Sequence, residues 1–223
     1  MGRIIFIFLL LVGTISSPPE ADLRWKYKTD GRVYSTPLIA GGMVYFGSGD
    51  HHFYALNKET GEQIWSFETG GAIHSSAATK GNLLYFGSGD GHLYALDKDS
   101  GDMVWKFASG GEKTYGLWDY YLSSPAVENN RVYWGSGDGH LYSVDATTGD
   151  LQWKHDTGDI VHASPVIYKD KVYFGGFDGQ VPGSGIDSRY SSTSPFKVFG
   201  PSVGSSQRML RLSSRTFAPP SMR

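Results

Sequence analysis

Trp25, Trp65, Trp105 and Trp153 lie 40, 40 and 48 residues apart, and Gly47, Gly87, Gly135 and Gly175 keep step at 40, 48 and 40. A period of this length means that one supersecondary unit is copied along the chain, and such a unit buries its apolar faces only against its neighbours. The copied body reads Val44-Tyr45-Phe46-Gly47-Ser48-Gly49-Asp50, then Leu84-Tyr85-Phe86-Gly87-Ser88-Gly89-Asp90, Val132-Tyr133-Trp134-Gly135-Ser136-Gly137-Asp138 and Val172-Tyr173-Phe174-Gly175-Gly176. The eight extra residues of the third step fall around residues 112–119.

Punctuation divides each copy into four strands. Asp90-Gly91, Asp138-Gly139 and Asp178-Gly179 predict two-residue hairpins of type I′, with His51 in place of the glycine in the first copy. The following strand ends at Asn57, Asp97 or Asp145, and Thr60-Gly61, Ser100-Gly101 or Thr148-Gly149 closes a loop before the tryptophan strand. Pro37, Pro125 and Pro165, with Ala77 in the second copy, fall at one register of the remaining strand. Proline cannot donate to a ladder, so that strand is predicted at a sheet edge. The second strand is apolar on both faces, which requires cover on both, whereas a sandwich would leave one face polar. Thirty glycines, fourteen tyrosines, twelve phenylalanines and six tryptophans suit short strands and tight turns. The fold class predicted is all-β: a β-propeller of four-stranded antiparallel blades, edge strand first.

Residues 55–65 and 95–105 both read alanine, an aspartate or asparagine two later, glycine at the seventh place and tryptophan at the eleventh, and residues 143–153 repeat this with serine first. This resembles the tryptophan-docking repeat of pyrroloquinoline-quinone (PQQ)-like propellers, in which the tryptophan packs on the neighbouring blade. The resemblance implies that Trp25, Trp65, Trp105 and Trp153 are structural docking residues. The family holds quinone-dependent alcohol and sugar dehydrogenases, sensor domains and the propeller lipoprotein of the outer-membrane barrel assembly machinery, so it indicates fold rather than function. Its usual number of blades is eight. Here residues 23–28 read as a lone outer strand, three complete blades follow, and residues 160–175 give two strands of a fourth, about three and a half blades of an incomplete eight-bladed ring. After Gln180 the expected third strand is replaced by Val181-Pro182-Gly183-Ser184-Gly185.

Three segments are therefore expected: a leader over residues 1–21, propeller repeats over 22–180 and a Ser/Arg/Pro-rich tail over 181–223. Arg3, the apolar run from Ile4 to Val12, and small residues at Thr14 and Ser16 read as a signal peptide, with an uncleaved anchor as its alternative. Both place the propeller outside the cytoplasm, periplasmic or secreted. The tail carries five arginines and Lys197 against Asp187, a net charge of +5, which leaves the first 180 residues at −7. Its abrupt onset inside a hairpin reads as disordered or frameshifted sequence, while a basic tail binding a partner or anionic lipid is the alternative. With no cysteine, the chain has no lipidation site, disulfide or thiolate ligand. A net charge of −2 offers no broad cationic field for nucleic acid.

No phosphate-binding loop, zinc-protease helix or nucleophile elbow occurs in the sequence. His52, His92 and His140 recur after the turns, but residues on separate blades diverge, so repeat equivalence accounts for them better than a metal ring. Asp50, Asp90 and Asp138 read as turn residues. The ligand-site candidates are Tyr34, His74 and His162, with Leu122 at the equivalent position, where the inner strands enter the ring around the central channel. Ordinary channel lining is the other account of these positions. The insertion at residues 112–119 connects an outer to an inner strand at the same mouth, and its Tyr115 and Trp118 are the candidate partner-binding loop.

The function expected is a non-catalytic, extracytoplasmic scaffold that binds a protein or peptide partner, as in envelope assembly. It requires no cofactor and no catalytic residue. The alternative is a fragment of a PQQ-dependent alcohol or sugar dehydrogenase, for which the resemblance implies PQQ and calcium at the channel mouth. The adjacent cysteine pair of many alcohol-oxidising members is missing here. Peripheral or leader-mediated membrane contact, and self-association through open strand edges, complete the expected interactions.

Overall fold

The structure, a computed structural model, describes residues 23–113, 122–177 and 183–185. Among them there is no helix, and every regular element is a strand. The first sheet holds β1 (Leu38–Ala40), β2 (Met43–Gly47), β3 (His52–Asn57) and β4 (Gln63–Glu68) in sequential antiparallel order. The second repeats it with β5 (Ala78–Lys80), β6 (Leu83–Ser88), β7 (His92–Asp97) and β8 (Met103–Ala108), and the third with β9 (Ala126–Glu128), β10 (Arg131–Gly135), β11 (His140–Asp145) and β12 (Leu151–Asp156). The fourth is three-stranded: β13 (Val166–Tyr168), β14 (Lys171–Tyr173) and β15 (Gly183–Gly185).

The core lies between the sheets. Alternation sends Tyr45, Phe53, Ala55 and Trp65 of the first sheet towards Leu84, Phe86, Tyr94 and Leu96 of the second, and Phe53 stacks on Phe86 with centroids 4.2 Å apart. The same meeting recurs between Tyr85, Leu93 and Trp105 of the second sheet and Val132, Trp134 and Tyr142 of the third. Tyr133 and Leu141 then face Val172 and Phe174 of the fourth. Both faces of the middle strands of the second and third sheets are thus covered, as their unbroken apolar sequences demand. Each fully buried aromatic contributes about 1.5–3 kcal/mol relative to exposure, so the stack of sheets holds as a series of neighbour contacts. The residue preceding each inner strand is Pro37, Ala77, Pro125 or Pro165, and β1, β5, β9 and β13 are sheet edges.

Two sequence expectations need correction. The β2–β3, β6–β7 and β10–β11 turns are not type I′. Their closing bonds run from His51 N to Ser48 O, Gly91 N to Ser88 O and Gly139 N to Ser136 O. The aspartate therefore sits inside the turn at negative φ, and only His51 (φ 74°), Gly91 (82°) and Gly139 (90°) are left-handed. The reason is the aspartate side chain: Asp90 Oδ1 accepts the His92 N–H at 3.1 Å, closing the loop one residue later than a two-residue hairpin would.

The second correction concerns the fourth sheet. Its third strand is present beyond the boundary expected at residue 180, with Gly185, Ser184 and Gly183 opposite Lys171, Val172 and Tyr173. A ladder is made by backbone groups, so Gly-Ser-Gly can pair without the apolar alternation that marks the other third strands. Residues 23–28, by contrast, join no sheet among the described residues. They lie across the first sheet, where Trp25 and Tyr27 cover Val44, Phe46, Tyr54 and Leu56.

Candidate functional site

A chain of hydroxyl groups links the inner strands where they enter the ring. Thr36 N donates to Ser76 Oγ at 2.7 Å, Ser76 N to Ser124 Oγ at 2.9 Å, and Ser124 N to Ser164 Oγ at 3.0 Å. One position earlier, Ser35, Ser75 and Ser123 place their Oγ on the backbone of Gly47, Gly87 and Gly135. Each of the first three inner strands is thereby fastened both to its own sheet and to the next, which fixes the mouth of the channel.

The aspartates extend this scaffold. Asp50 Oδ2 accepts the Asp30 N–H at 3.0 Å and the Tyr54 hydroxyl at 2.9 Å. Asp90 Oδ2 does the same with Gly70 N at 2.9 Å and Tyr94 at 2.7 Å, and Asp138 Oδ2 with Gly110 N at 2.6 Å and Tyr142. Each carboxylate therefore clamps the connection arriving from the preceding outer strand onto its own turn. Burial pushes all three carboxyls up, but the hydrogen bonds from tyrosine hydroxyls and backbone N–H groups outweigh it and hold them below the usual carboxylate range. Sequence reasoning saw only turn residues here. The signal for more was the tyrosine four places after each aspartate, Tyr54, Tyr94 and Tyr142. His52 and His92 turn Nδ1 back to the carbonyl of the same aspartate, at 3.0 and 3.1 Å, and His140 Nδ1 lies 3.4 Å from Asp138 Oδ1. Each histidine thus serves its own turn.

The three ligand-site candidates fall into two groups. Tyr34 is 39% exposed, and its ring meets His74 edge-on at 4.9 Å. Arg32 Nη1 donates to the Tyr34 hydroxyl at 3.2 Å, which fixes the ring at the rim. His162 is different: it is buried, and its Nε2 lies 3.2 Å from Glu112 Oε2, with both side chains almost fully enclosed. Glu112 Oε2 also accepts the Gly137 N–H at 2.9 Å, and Phe177 lies edge-on to the imidazole. The first residue of the insertion is therefore a buried strut between the third and fourth sheets rather than part of an exposed loop. Its charge is matched by donors from both sides. Leu122 is half-buried. Tyr115 and Trp118 lie outside the described residues. Glu112 and Arg32 were missed by sequence reasoning because a lone charged residue in a connection carries no spacing signal.

On the far side of the sheets, Trp25, Trp65 and Trp105 donate Nε1–H to Lys58 O (2.9 Å), Lys98 O (3.2 Å) and Ala146 O (3.1 Å) in the next sheet along. Their rings rest on Gly61, Gly101 and Gly149, where an added Cβ would fall 2.6–2.7 Å from the indole. Trp153 also packs towards the fourth sheet, but its Nε1 is buried with no acceptor among the described residues.

A family model described as outer membrane protein assembly factor BamB matches residues 15–78 and 69–189. The chain belongs to this family of PQQ-like repeat propellers. The match runs past residue 180, in agreement with β15. The four sheets described above are blades of that propeller, and they form an incomplete ring. BamB from Moraxella catarrhalis superposes with a TM-score of 0.62 at 21% identity, over 71% of this chain and 51% of that one. A quinohemoprotein alcohol dehydrogenase, ADHIIG from Pseudomonas putida HK5, superposes at 0.55 and 19% identity, over 68% of this chain and 29% of that one. YxaL of Bacillus subtilis (strain 168) is 50% identical over 40 residues, 18% of this chain and 10% of that protein. This propeller chain thus spans about half the BamB structure and a tenth of YxaL. The neighbours include both BamB and a quinohemoprotein alcohol dehydrogenase, so they support the propeller fold for this chain without deciding whether it is catalytic.

Proposed function

We propose that this propeller is a non-catalytic scaffold outside the cytoplasm that holds a protein partner in extended conformation at its channel mouth. The observation that carries the reading is Tyr34: an exposed aromatic held in place by Arg32 and His74 on a rim of fastened backbone. An aromatic anchor that is ordered before binding loses little entropy on contact. The polar groups deeper in the mouth are engaged with one another, His162 with Glu112 and Glu112 with Gly137. That arrangement favours a contact surface over a site that must orient a reacting substrate. The family model's description as an outer membrane protein assembly factor supports a partner of that class, and the sequence of residues 1–21 supports export.

The test is a titration of a fluorescent peptide with alternating aromatic and polar residues, the pattern of an outer-membrane strand. Tyr115→Ala with Trp118→Ala is expected to weaken binding about 30-fold, the equivalent of about 2 kcal/mol at an interface anchor. Tyr34→Ala is expected to weaken it about tenfold, through a single anchor. Equal affinity of both variants and the parent would end the reading.

The similarity in fold to a quinohemoprotein alcohol dehydrogenase keeps a second reading in view. Under it, PQQ and calcium would sit at the same mouth. Reduction of an artificial electron acceptor with an alcohol or sugar, dependent on added PQQ and calcium and lost in His74→Ala, would establish that reading in place of ours.

A further inference from the structure

One segment of the described chain has the sequence register of an outer strand but joins no sheet, and one sheet has no outer strand among the described residues. Residues 23–28 carry Trp25 and Tyr27 at the places held by Trp65 and Phe67 in β4 and by Trp105 and Phe107 in β8. Every other tryptophan of this register belongs to the fourth strand of one sheet while its ring lies on the next. Trp25 already has the second half of that relation, with its indole on Lys58 O and Gly61 of the first sheet. The first half, a ladder with a preceding sheet, has no counterpart among the described residues.

The fourth sheet has the complementary need. It stops at β15 among the described residues, with three strands in place of four. Its Tyr173 is the counterpart of Tyr45, Tyr85 and Tyr133, which are 0%, 1% and 0% exposed because the next sheet covers them. Tyr173 is only half-buried, on the face where a following sheet would pack. The hydroxyl relay has the same polarity: it runs from Thr36 to Ser164, and Thr36, which is exposed, stands at the place where Ser76, Ser124 and Ser164 each accept from the preceding inner strand.

We infer that the chain binds a second copy of itself head to tail, residues 23–28 of each copy adding to the edge of β15 in the other. Two such additions close a ring of eight sheets, a two-fold arrangement in which each copy gives its first segment and receives the other's. The size agrees: four sheets here superpose on 51% of the BamB chain, so a second set of four completes a ring of that size. The face that Tyr173 meets is then Val44, Phe46 and Tyr54 of the second copy, of the same make as the Leu84, Phe86 and Tyr94 face that covers Tyr45. The inference is independent of what the channel mouth binds.

The register follows from the complete sheets. Gln63 opposes Leu56 across β3 and β4, and a 40-residue step carries Gln63 back to Leu23, while Leu56 corresponds through Leu96 and Val144 to Ser184. Leu23 of one copy thus faces Ser184 of the other. Because the chain has no cysteine of its own, Leu23→Cys and Ser184→Cys variants report this contact alone. Mixed and oxidised, the two full-length single variants are expected to give a cross-linked species of twice the 24.4 kDa chain mass. Sedimentation of the unmodified chain at tens of micromolar is expected to show the same dimer. A monomer at that concentration, an open series of larger species, or no cross-link in the mixture would overturn the inference. So would a cross-link at monomer mass in the Leu23→Cys/Ser184→Cys double variant.

Discussion

Gly61, Gly101 and Gly149 are left-handed, at φ 74°, 80° and 77°, and each supports an indole ring from the neighbouring sheet. Two requirements meet at one residue: a conformation that costs other residues about 1–2 kcal/mol and a surface with no Cβ. Gly101→Ala is therefore expected to lower stability by about 2 kcal/mol or more, read as a fall in the urea midpoint. An unchanged midpoint would mean that the Trp65 contact is dispensable. His51 poses the reverse case. It holds φ 74° where Gly91 and Gly139 stand in the next two sheets, and it is exposed. His51→Gly is expected to raise stability by about 0.5 kcal/mol, the strain relieved less the added freedom of the unfolded chain. At this scale the sequence was readable where a residue recurs: tryptophan, glycine and turn aspartate all mark their places by period. The double duty of Asp50, Asp90 and Asp138 was not, because a turn aspartate reads the same whether or not a neighbouring connection donates to it. The Glu112–His162 pair was hidden for a different reason, since 50 residues separate partners that only the fold brings together.

Strands are read from side chains but made by backbone, and this explains what was legible among the elements. The three complete sheets announced themselves through paired apolar runs bounded by Gly and Asp. Gly183–Gly185 carries no such pattern and still pairs with β14. The contacts between sheets are also where the pH response resides. Burial pushes the Tyr45 and Tyr85 hydroxyls up to about 12, with nearby aspartates adding to the effect. The neutral phenol is the form the fold accommodates, so stability from these groups is complete below their ordinary value near 10 and is lost as pH rises from about 10 to 12. Stability at low pH has the opposite sign. The lowered carboxyls of Asp50, Asp90 and Asp138 contribute above their ordinary value and lose that contribution as pH falls below about 4. Thermal melts across the pH range are expected to show a plateau bounded by both falls. Tyr85→Phe is expected to reduce the alkaline fall, and a melt indifferent to pH between 10 and 12 would refute the assignment to these tyrosines.

At the level of the whole molecule, repetition gives an incomplete ring whose mouth is fastened by hydroxyl and carboxylate bonds, and whose departures from repetition mark its possibilities. Glu112 opens the eight-residue insertion, and the fourth sheet invites a partner strand. The fold class was legible because the repeat spans most of the chain, whereas the function was not, because a propeller mouth is built from the same residues whether it binds or catalyses. Amide hydrogen exchange with and without the alternating aromatic peptide tests the central claim, binding at the mouth, most directly. Added peptide is expected to slow exchange in residues 30–34, 70–74 and 110–113, which carry the outer-to-inner connections. Protection confined to residues 58–61 and 98–101, on the tryptophan-bearing side, or no protection at saturating peptide, would contradict it.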